Sequence, residues 1–337
     1  MIEPLARRHG RKVHARRDRR IFGTDRYFAR LRVAGYRTHV VLASKRHVPG
    51  SRASGLTFSA DDWREALADP EALFAGGDVR VVRDCDTSLV IRRTLRVGPH
   101  ELDVHVKRPR RRKLTRRLRD AFRLSRSLKA FRNGHRLLGR HIHNALPLAA
   151  MEKRSGLLPA DSILITETAD DATHINRFLN RHLASAGADD SLRPGQRWRL
   201  AQLLLWELGR LLRRLHQAGF AHRDLKASNL LVRWAGREGR SPDVILVDLD
   251  GLRRSRRVSA RQRFQGLMRL NVSLLECPAV NHAGRLRMLL GYLRRPGAGW
   301  INFKPYWRQL QRWSDRKIRR QIRSRQKDQR TQRRKEP

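Results

Sequence analysis

The run His222-Arg223-Asp224-Leu225-Lys226, completed by Asn229, constrains this 337-residue chain more than any other feature. Six fixed residues in that order arise by accident with a probability on the order of 10⁻⁵ in a chain of this composition. The flanks agree with the run. "RPGQRWRLAQLLLWELGRLLRRLHQAG" leads in, with Trp198, Leu204, Leu205, Leu208, Leu211, Leu212 and Leu215 at helical spacing. Gly219 stops that helix. "LLV" (230–232) leads out as a strand, and the apolar run "VILV" ends on Asp248, which begins "DLDG". The second half of the chain must therefore hold a helix-to-strand loop bearing a carboxylate and an amide. A strand ending on a second carboxylate must follow it.

This order is that of the catalytic loop and metal-binding turn of kinases. Phosphoryl transfer needs positioning and charge neutralisation more than covalent chemistry. A carboxylate must accept or orient the acceptor hydroxyl's proton, and Asp224 is in that place. An amide oxygen and a second carboxylate must hold divalent metal, Mg²⁺ or Mn²⁺, between the phosphates of ATP; Asn229 and Asp248 are the candidates. Lys226, two residues past the base, is positioned to reach the γ-phosphate, with Arg223 beside the base. His222 reads as a packing residue that hydrogen-bonds backbone. Asp250 is a rival metal ligand, but the strand-end position favours Asp248.

The first half reads as a small antiparallel lobe. "RYFARLRVAGYRTHVVLAS" alternates around Ala34-Gly35 as a hairpin, and Ser59 with Asp61 and Asp62 starts a short helix over 60–68. "VRVVRD" (79–84), "SLVIRRTLRV" (88–97) and "ELDVHVKR" (101–108) form a meander, a helix follows over 126–139, and two more strands bracket residues 145–170. "VHVK" (104–107) resembles V-A-I-K, which makes Lys107 the phosphate-binding lysine. Two kinase features are missing. The turn Asp84-Cys85-Asp86-Thr87-Ser88 replaces a Gly-rich loop, leaving backbone amides and the Thr87 and Ser88 hydroxyls to cradle phosphate. No acid occurs between Asp120 and Glu152, so the 126–139 helix offers Lys107 only Asn133 or His135. "ILITE" (163–167) leads to the inter-lobe hinge, with Thr166 as gatekeeper and the backbone of Glu167 and Ala169 toward adenine. Asp170 and Asp171 either reach the ribose or cap the helix at 174–182.

Charge narrows the partner rather than the fold. Lys plus Arg number 76 against 31 Asp plus Glu, a net charge of +45, so polyanions are the natural partners: nucleic acid, anionic lipid headgroups or phosphorylated glycans. Nucleic acid is not favoured, because aromatic residues are only 6 % and no zinc spacing or single-strand-binding aromatic motif occurs. The 39 % hydrophobic content is enough to fold, which excludes wholesale disorder. Two cysteines, Cys85 and Cys277, form no disulfide framework and fit a reducing compartment. Eight Lys/Arg within residues 1–20 and the lack of an apolar run argue against a signal peptide and a membrane span.

"RRLHQAGFAHRDLKASNLLV" (213–232), "VILVDLDGLRR" (244–254), "LITETAD" (164–170) and "RLNVSLLE" (269–276), with the Gly-less phosphate turn, resemble the lipopolysaccharide kinase (Kdo/WaaP) family over roughly 79–295. The resemblance implies an α+β, bilobal protein kinase-like fold: a small antiparallel β N-lobe with one helix, and a mainly helical C-lobe. It also implies ATP-dependent phosphorylation of an inner-core sugar, with Asp224 as base, Asn229 and Asp248 as metal ligands and Lys107 as phosphate lysine. The expected organisation is a basic flexible stretch at 1–20, an extension at 21–78, an N-lobe at 79–170, a C-lobe at 171–300 and a basic helix or tail at 301–337. The charge suits a cytoplasmic enzyme, peripheral on the inner membrane face. There it meets an anionic glycolipid or phosphorylated sugar, and residues 107–132 and 303–337 attract the anionic surface. The segment after Asp248 has no A-P-E, which argues against a regulated protein kinase. Two alternatives stay open: a protein Ser/Thr or small-molecule phosphotransferase of the same fold, and a degraded pseudokinase acting as a basic binding module.

Overall fold

In the computed structural model, residues 13–44, 48–110, 123–183, 194–234, 242–278, 280–294 and 301–333 are described. The chain forms two compact bodies. One comprises Met1–Asp171 with Leu246–Asp250, the other Ala172–Ile245 with Gly251–Pro337. Much of the basic stretch over 107–132 lies outside the described residues, as does the start of the N-terminal segment. Residues 13–20 are helical, where a loose segment is expected from the charge, and Arg140 grips Asp18 with both terminal nitrogens (3.1 and 3.2 Å).

The first body is built on one seven-stranded antiparallel sheet. Its strands are β1 (Phe28–Val33), β2 (Tyr36–Val41), β3 (Arg80–Cys85), β4 (Ser88–Val97), β5 (His100–Pro109), β6 (Pro147–Ser155) and β7 (Leu158–Glu167), in the order β1-β2-β6-β7-β5-β4-β3. The N-terminal hairpin is thus not a separate layer. β2 pairs with β6, with Arg37 opposite Glu152, and completes the sheet. The register of β4 against β5 is set by a two-residue turn in which Gly98 sits at φ +57, a conformation a Cβ disfavours. Helix α1 (Ala60–Ala66) starts on a reciprocal capping box between Ser59 and Asp62. It presses Trp63, fully buried, onto the sheet, where the indole N–H donates to the Val41 carbonyl at 2.8 Å. Trp63, Phe58 and Leu67 share one core with Val40, Val104, Val106, Leu148 and Ile165. Helix α2 (Arg126–Leu138) buries Leu128, Phe131 and Leu137.

In the second body, β8 (Ala172–His174), β10 (Leu230–Arg233) and β11 (Asp243–Leu246) form one small sheet, and β9 (Phe220–His222) pairs with β12 (Leu252–Arg254). The helices are α3 (Ile175–Leu183), α4 (Pro194–Gln217), α5 (Ala260–Leu274), α6 (His282–Leu293) and α7 (Lys304–Arg333). α4 buries Leu200, Leu204, Leu205, Leu208, Leu212 and Leu215, as its periodicity predicts, but Trp198 is 64 % exposed and does not join that stripe. α4 meets α6 through two glycines. A Cβ on Gly209 would stand 2.1 Å from the Met288 carbonyl oxygen, and one on Gly291 would stand 2.4 Å from that of Trp206. The two helix backbones touch there. The basic C-terminal stretch is a continuous helix rather than a frayed tail through Arg333. Among the described residues, no helix is long and apolar enough to cross a membrane.

Candidate functional site

In the first body, Lys107 lies near the end of β5, opposite Val90 of β4. Its ammonium donates to Asp248 Oδ1 and, at 2.8 Å, to Asp250 Oδ1. Both carboxylates come from the turn that follows β11. That turn reverses direction at Asp248, whose φ of +58 lies in the left-handed region that a non-glycine residue rarely adopts. The helix that lacks an acid stays close to this turn. A Cβ on Gly134 of α2 would stand 2.8 Å from the Leu249 side chain, so the helix has no room for a carboxylate there. The nearby acid, Glu152, is committed elsewhere. Its carboxylate accepts the Ser125 N–H at the start of α2 (2.8 Å) and pairs with Arg37 and Arg154. The lysine's partners therefore come from the strand-end turn.

The electrostatics follow from that crowding. Burial pushes the Asp248 carboxyl up, and Asp250 beside it pushes the same way against Lys107. Burial also opposes ionisation of Asp250, but its hydrogen bond with Asp248 and the Lys107 charge outweigh burial and hold it low. Burial disfavours the Lys107 ammonium, yet the two carboxylates keep it above the ordinary lysine value. Two carboxylates converge on one ammonium in a largely buried place. That donor set fits a divalent cation bound with oxygen ligands.

The second body holds the loop. His222 is buried, and its Nδ1 accepts the Asp224 N–H (3.2 Å), which is the packing role expected of it. The Arg223 N–H donates to the Gly251 carbonyl (3.0 Å), and the Ala227 N–H donates to Ser273 Oγ of α5 (2.9 Å). Asn229 is buried; its Nδ2 donates to the Asp224 carbonyl (2.8 Å), which commits the amide nitrogen and leaves Oδ1 as the acceptor. The Asp224 carboxylate itself is 62 % exposed and stands 3.2 Å from Lys226 Nζ. Arg223 is exposed. The loop thus fixes its backbone by hydrogen bonds that do not use the Asp224 side chain.

The remaining sequence candidates are placed as follows. Ser88 is buried and Thr87 Oγ1 lies 3.3 Å from Cys85 Sγ, so this two-residue turn directs its hydroxyls at Cys85 rather than opening as a cradle. The Glu167 N–H donates to the Leu146 carbonyl (2.9 Å), and its carboxylate accepts from Ser51 and from the Ala53 N–H (2.9 Å). Ala169 follows it, half-buried, and Thr166 opposes His105. Asp170 pairs with Arg92. Sequence reasoning missed two things: Asp250 as a partner of Lys107, and Glu152 as the acceptor that holds Ser125, the N-cap of α2.

The profile of the Lipopolysaccharide kinase (Kdo/WaaP) family matches residues 84–292. Among solved structures, one titled "WaaP in complex with acyl carrier protein" resembles this fold with a TM-score of 0.52 at 21 % identity, covering 79 % of this chain and 98 % of that one. No curated protein matches the chain.

Proposed function

Because this chain belongs to the lipopolysaccharide kinase (Kdo/WaaP) family, with every residue of both clusters inside the matched 84–292 segment, we propose that it transfers the γ-phosphate of ATP to a sugar hydroxyl of an inner-core-type lipopolysaccharide glycan. The observation that carries this reading is the ion-paired group Lys107–Asp248–Asp250, found where phosphoryl transfer needs an ammonium and a metal-binding carboxylate. ATP with Mg²⁺ or Mn²⁺ supplies the transferable phosphoryl group and the positive charge that neutralises it. Asp248 and Asn229 Oδ1 would hold the cation. Lys107 binds phosphate oxygens, and Asp250 keeps its ammonium in place. Asp224 accepts the proton of the acceptor hydroxyl, and Lys226 and Arg223 steady the charge that builds beside it. The Glu167 carbonyl and Ala169 N–H serve adenine. Thr87 and Ser88 contribute through the backbone of their turn. The enzyme works in the cytoplasm at the inner membrane face, where its positive charge attracts the anionic acceptor.

Phosphate transfer from labelled ATP tests the reading. We expect label in delipidated core oligosaccharide and none in a generic protein substrate. Label in the protein alone would replace this reading with a protein phosphotransferase. Asp250 has its own test. Asp250→Ala should weaken equilibrium binding of a fluorescent ATP analogue about tenfold, the equivalent of one charge-assisted hydrogen bond, and Asp250→Glu should restore much of it. Unchanged binding in the alanine variant would mean that Asp248 alone holds Lys107.

A further inference from the structure

A second cationic cluster lies in the second body, with its α7 side beyond the family-matched segment and its α5 and α6 side within it. The end of α5, the start of α6 and the first half of α7 enclose a groove of about 510 Å³ lined by Asn271, His282, Arg285, Arg308, Arg312 and Asp315. A neighbouring hollow of about 480 Å³ shares Arg308 and Arg312 and adds Arg316. Arg308, Arg312 and Arg316 recur every four residues on α7 and so fall on one face. Like charges at that spacing repel. Asp315 is the one carboxylate in the lining. Among the described residues, none of these four arginines makes an ion pair.

Arg285 is the most telling of them. It is half-buried between α6 and α7, and its Nε is buried without a hydrogen-bond partner. Burial lowers its affinity for its proton, and Asp315 only partly restores it. An unsatisfied buried donor is a standing cost in the free protein, and a phosphate oxygen removes it, since a guanidinium matches phosphate geometry in bidentate fashion. Among the described residues lining the groove, the one ring is His282, which packs edge-on against Trp307 (5.2 Å); Trp313 lines the neighbouring hollow and packs edge-on against Phe264 (5.3 Å). Clustered guanidiniums with so few rings suit a compact phosphorylated headgroup better than a run of stacked nucleobases.

We propose that the α6–α7 groove binds the phosphate-bearing headgroup of an anionic glycolipid and seats the enzyme on the surface that displays its acceptor. This inference rests on the glycan-kinase reading for the identity of the ligand. The groove itself is separate from the transfer chemistry.

The test is cosedimentation of the full chain with phosphatidylcholine vesicles that do or do not carry lipopolysaccharide. The groove variant Arg285→Gln/Arg308→Gln/Arg312→Gln should lose about 100-fold in affinity for the lipopolysaccharide vesicles. The variant Arg319→Gln/Arg320→Gln/Arg323→Gln removes as many charges outside the groove and should lose about tenfold or less, because exposed charges that make no direct phosphate contact act only through the screened field. Asp315→Asn should bind more tightly than wild type, and thermal unfolding of each variant checks that it is folded. Equal losses in the two triple variants would reduce the groove to diffuse charge and overturn the proposal. So would loss of duplex DNA binding in the groove variant with vesicle binding untouched. Wild-type turnover on soluble core oligosaccharide is measured alongside. If it is absent, the glycan reading fails whatever the vesicles show; if it is present while the groove variant binds like wild type, the groove alone fails.

Discussion

Asp224→Ala is expected to lower turnover by about 10³-fold or more while leaving nucleotide binding within about twofold, the pattern of a lost proton acceptor rather than a lost ligand site. The substitution should not disturb the loop. Asn229 bonds the backbone carbonyl of residue 224, His222 accepts its N–H, and Ala227 is tied to Ser273. Among the described residues, the side-chain partner removed is Lys226, in a pair whose members are 62 % and 39 % exposed. Exposed ion pairs contribute about 0–1 kcal/mol, so the unfolding midpoint should barely move. Labelled-ATP turnover, with nucleotide affinity measured on the same preparation, checks both halves. If wild type and Asp224→Ala are equally inert with Mg²⁺ and Mn²⁺, the chain is a basic binding module and not a working phosphotransferase.

Gly209→Ala is expected to be among the most destabilising single-methyl changes in the second body. The added Cβ would stand 2.1 Å from the Met288 carbonyl oxygen. No rotamer change relieves a contact with backbone, so α4 and α6 would have to separate. Alanine favours helix over glycine by about 1 kcal/mol, but overpacking a closed helix crossing costs about 3 kcal/mol, so the net sign is destabilising. That corresponds to a fall of roughly 5 °C in the unfolding midpoint for a body of this size. Gly195→Ala, in the same helix with open space around it, is the control and should match or slightly exceed wild type. A Gly209→Ala midpoint equal to that of the control would show that the crossing relaxes freely.

The sequence was most readable where chemistry demands particular residues at fixed short spacing. The loop from His222 to Asn229 falls into this class, because its backbone is set by local hydrogen bonds. Periodic elements such as α4 and the β4–β5 meander were also legible. Trp198 shows the limit: helical spacing assigns a face but not the point along the helix where packing against neighbouring elements ends. The partner of Lys107 was out of reach for a different reason. It is chosen by the distance between a strand end and a turn 141 residues away, and no local pattern ranks Asp250 against Asp248. The pairing of β2 with β6 is hidden in the same way, since both strands carry ordinary alternation and their register appears only on assembly.

Glu152 binds Arg37 of the opening hairpin on one side and the first turn of α2 on the other. Helix α2 also abuts, through Gly134, the turn that presents two acids to Lys107. A truncation to the family-matched stretch beginning at residue 84 would therefore do more than trim an appendage. It would strip Trp63 and Val40 from the shared core, leave the buried Glu152 with Arg154 but without Arg37, and loosen the seat of the lysine from the far edge of the sheet. In this enzyme the upstream residues are a foundation, and any minimal catalytic fragment has to begin with them.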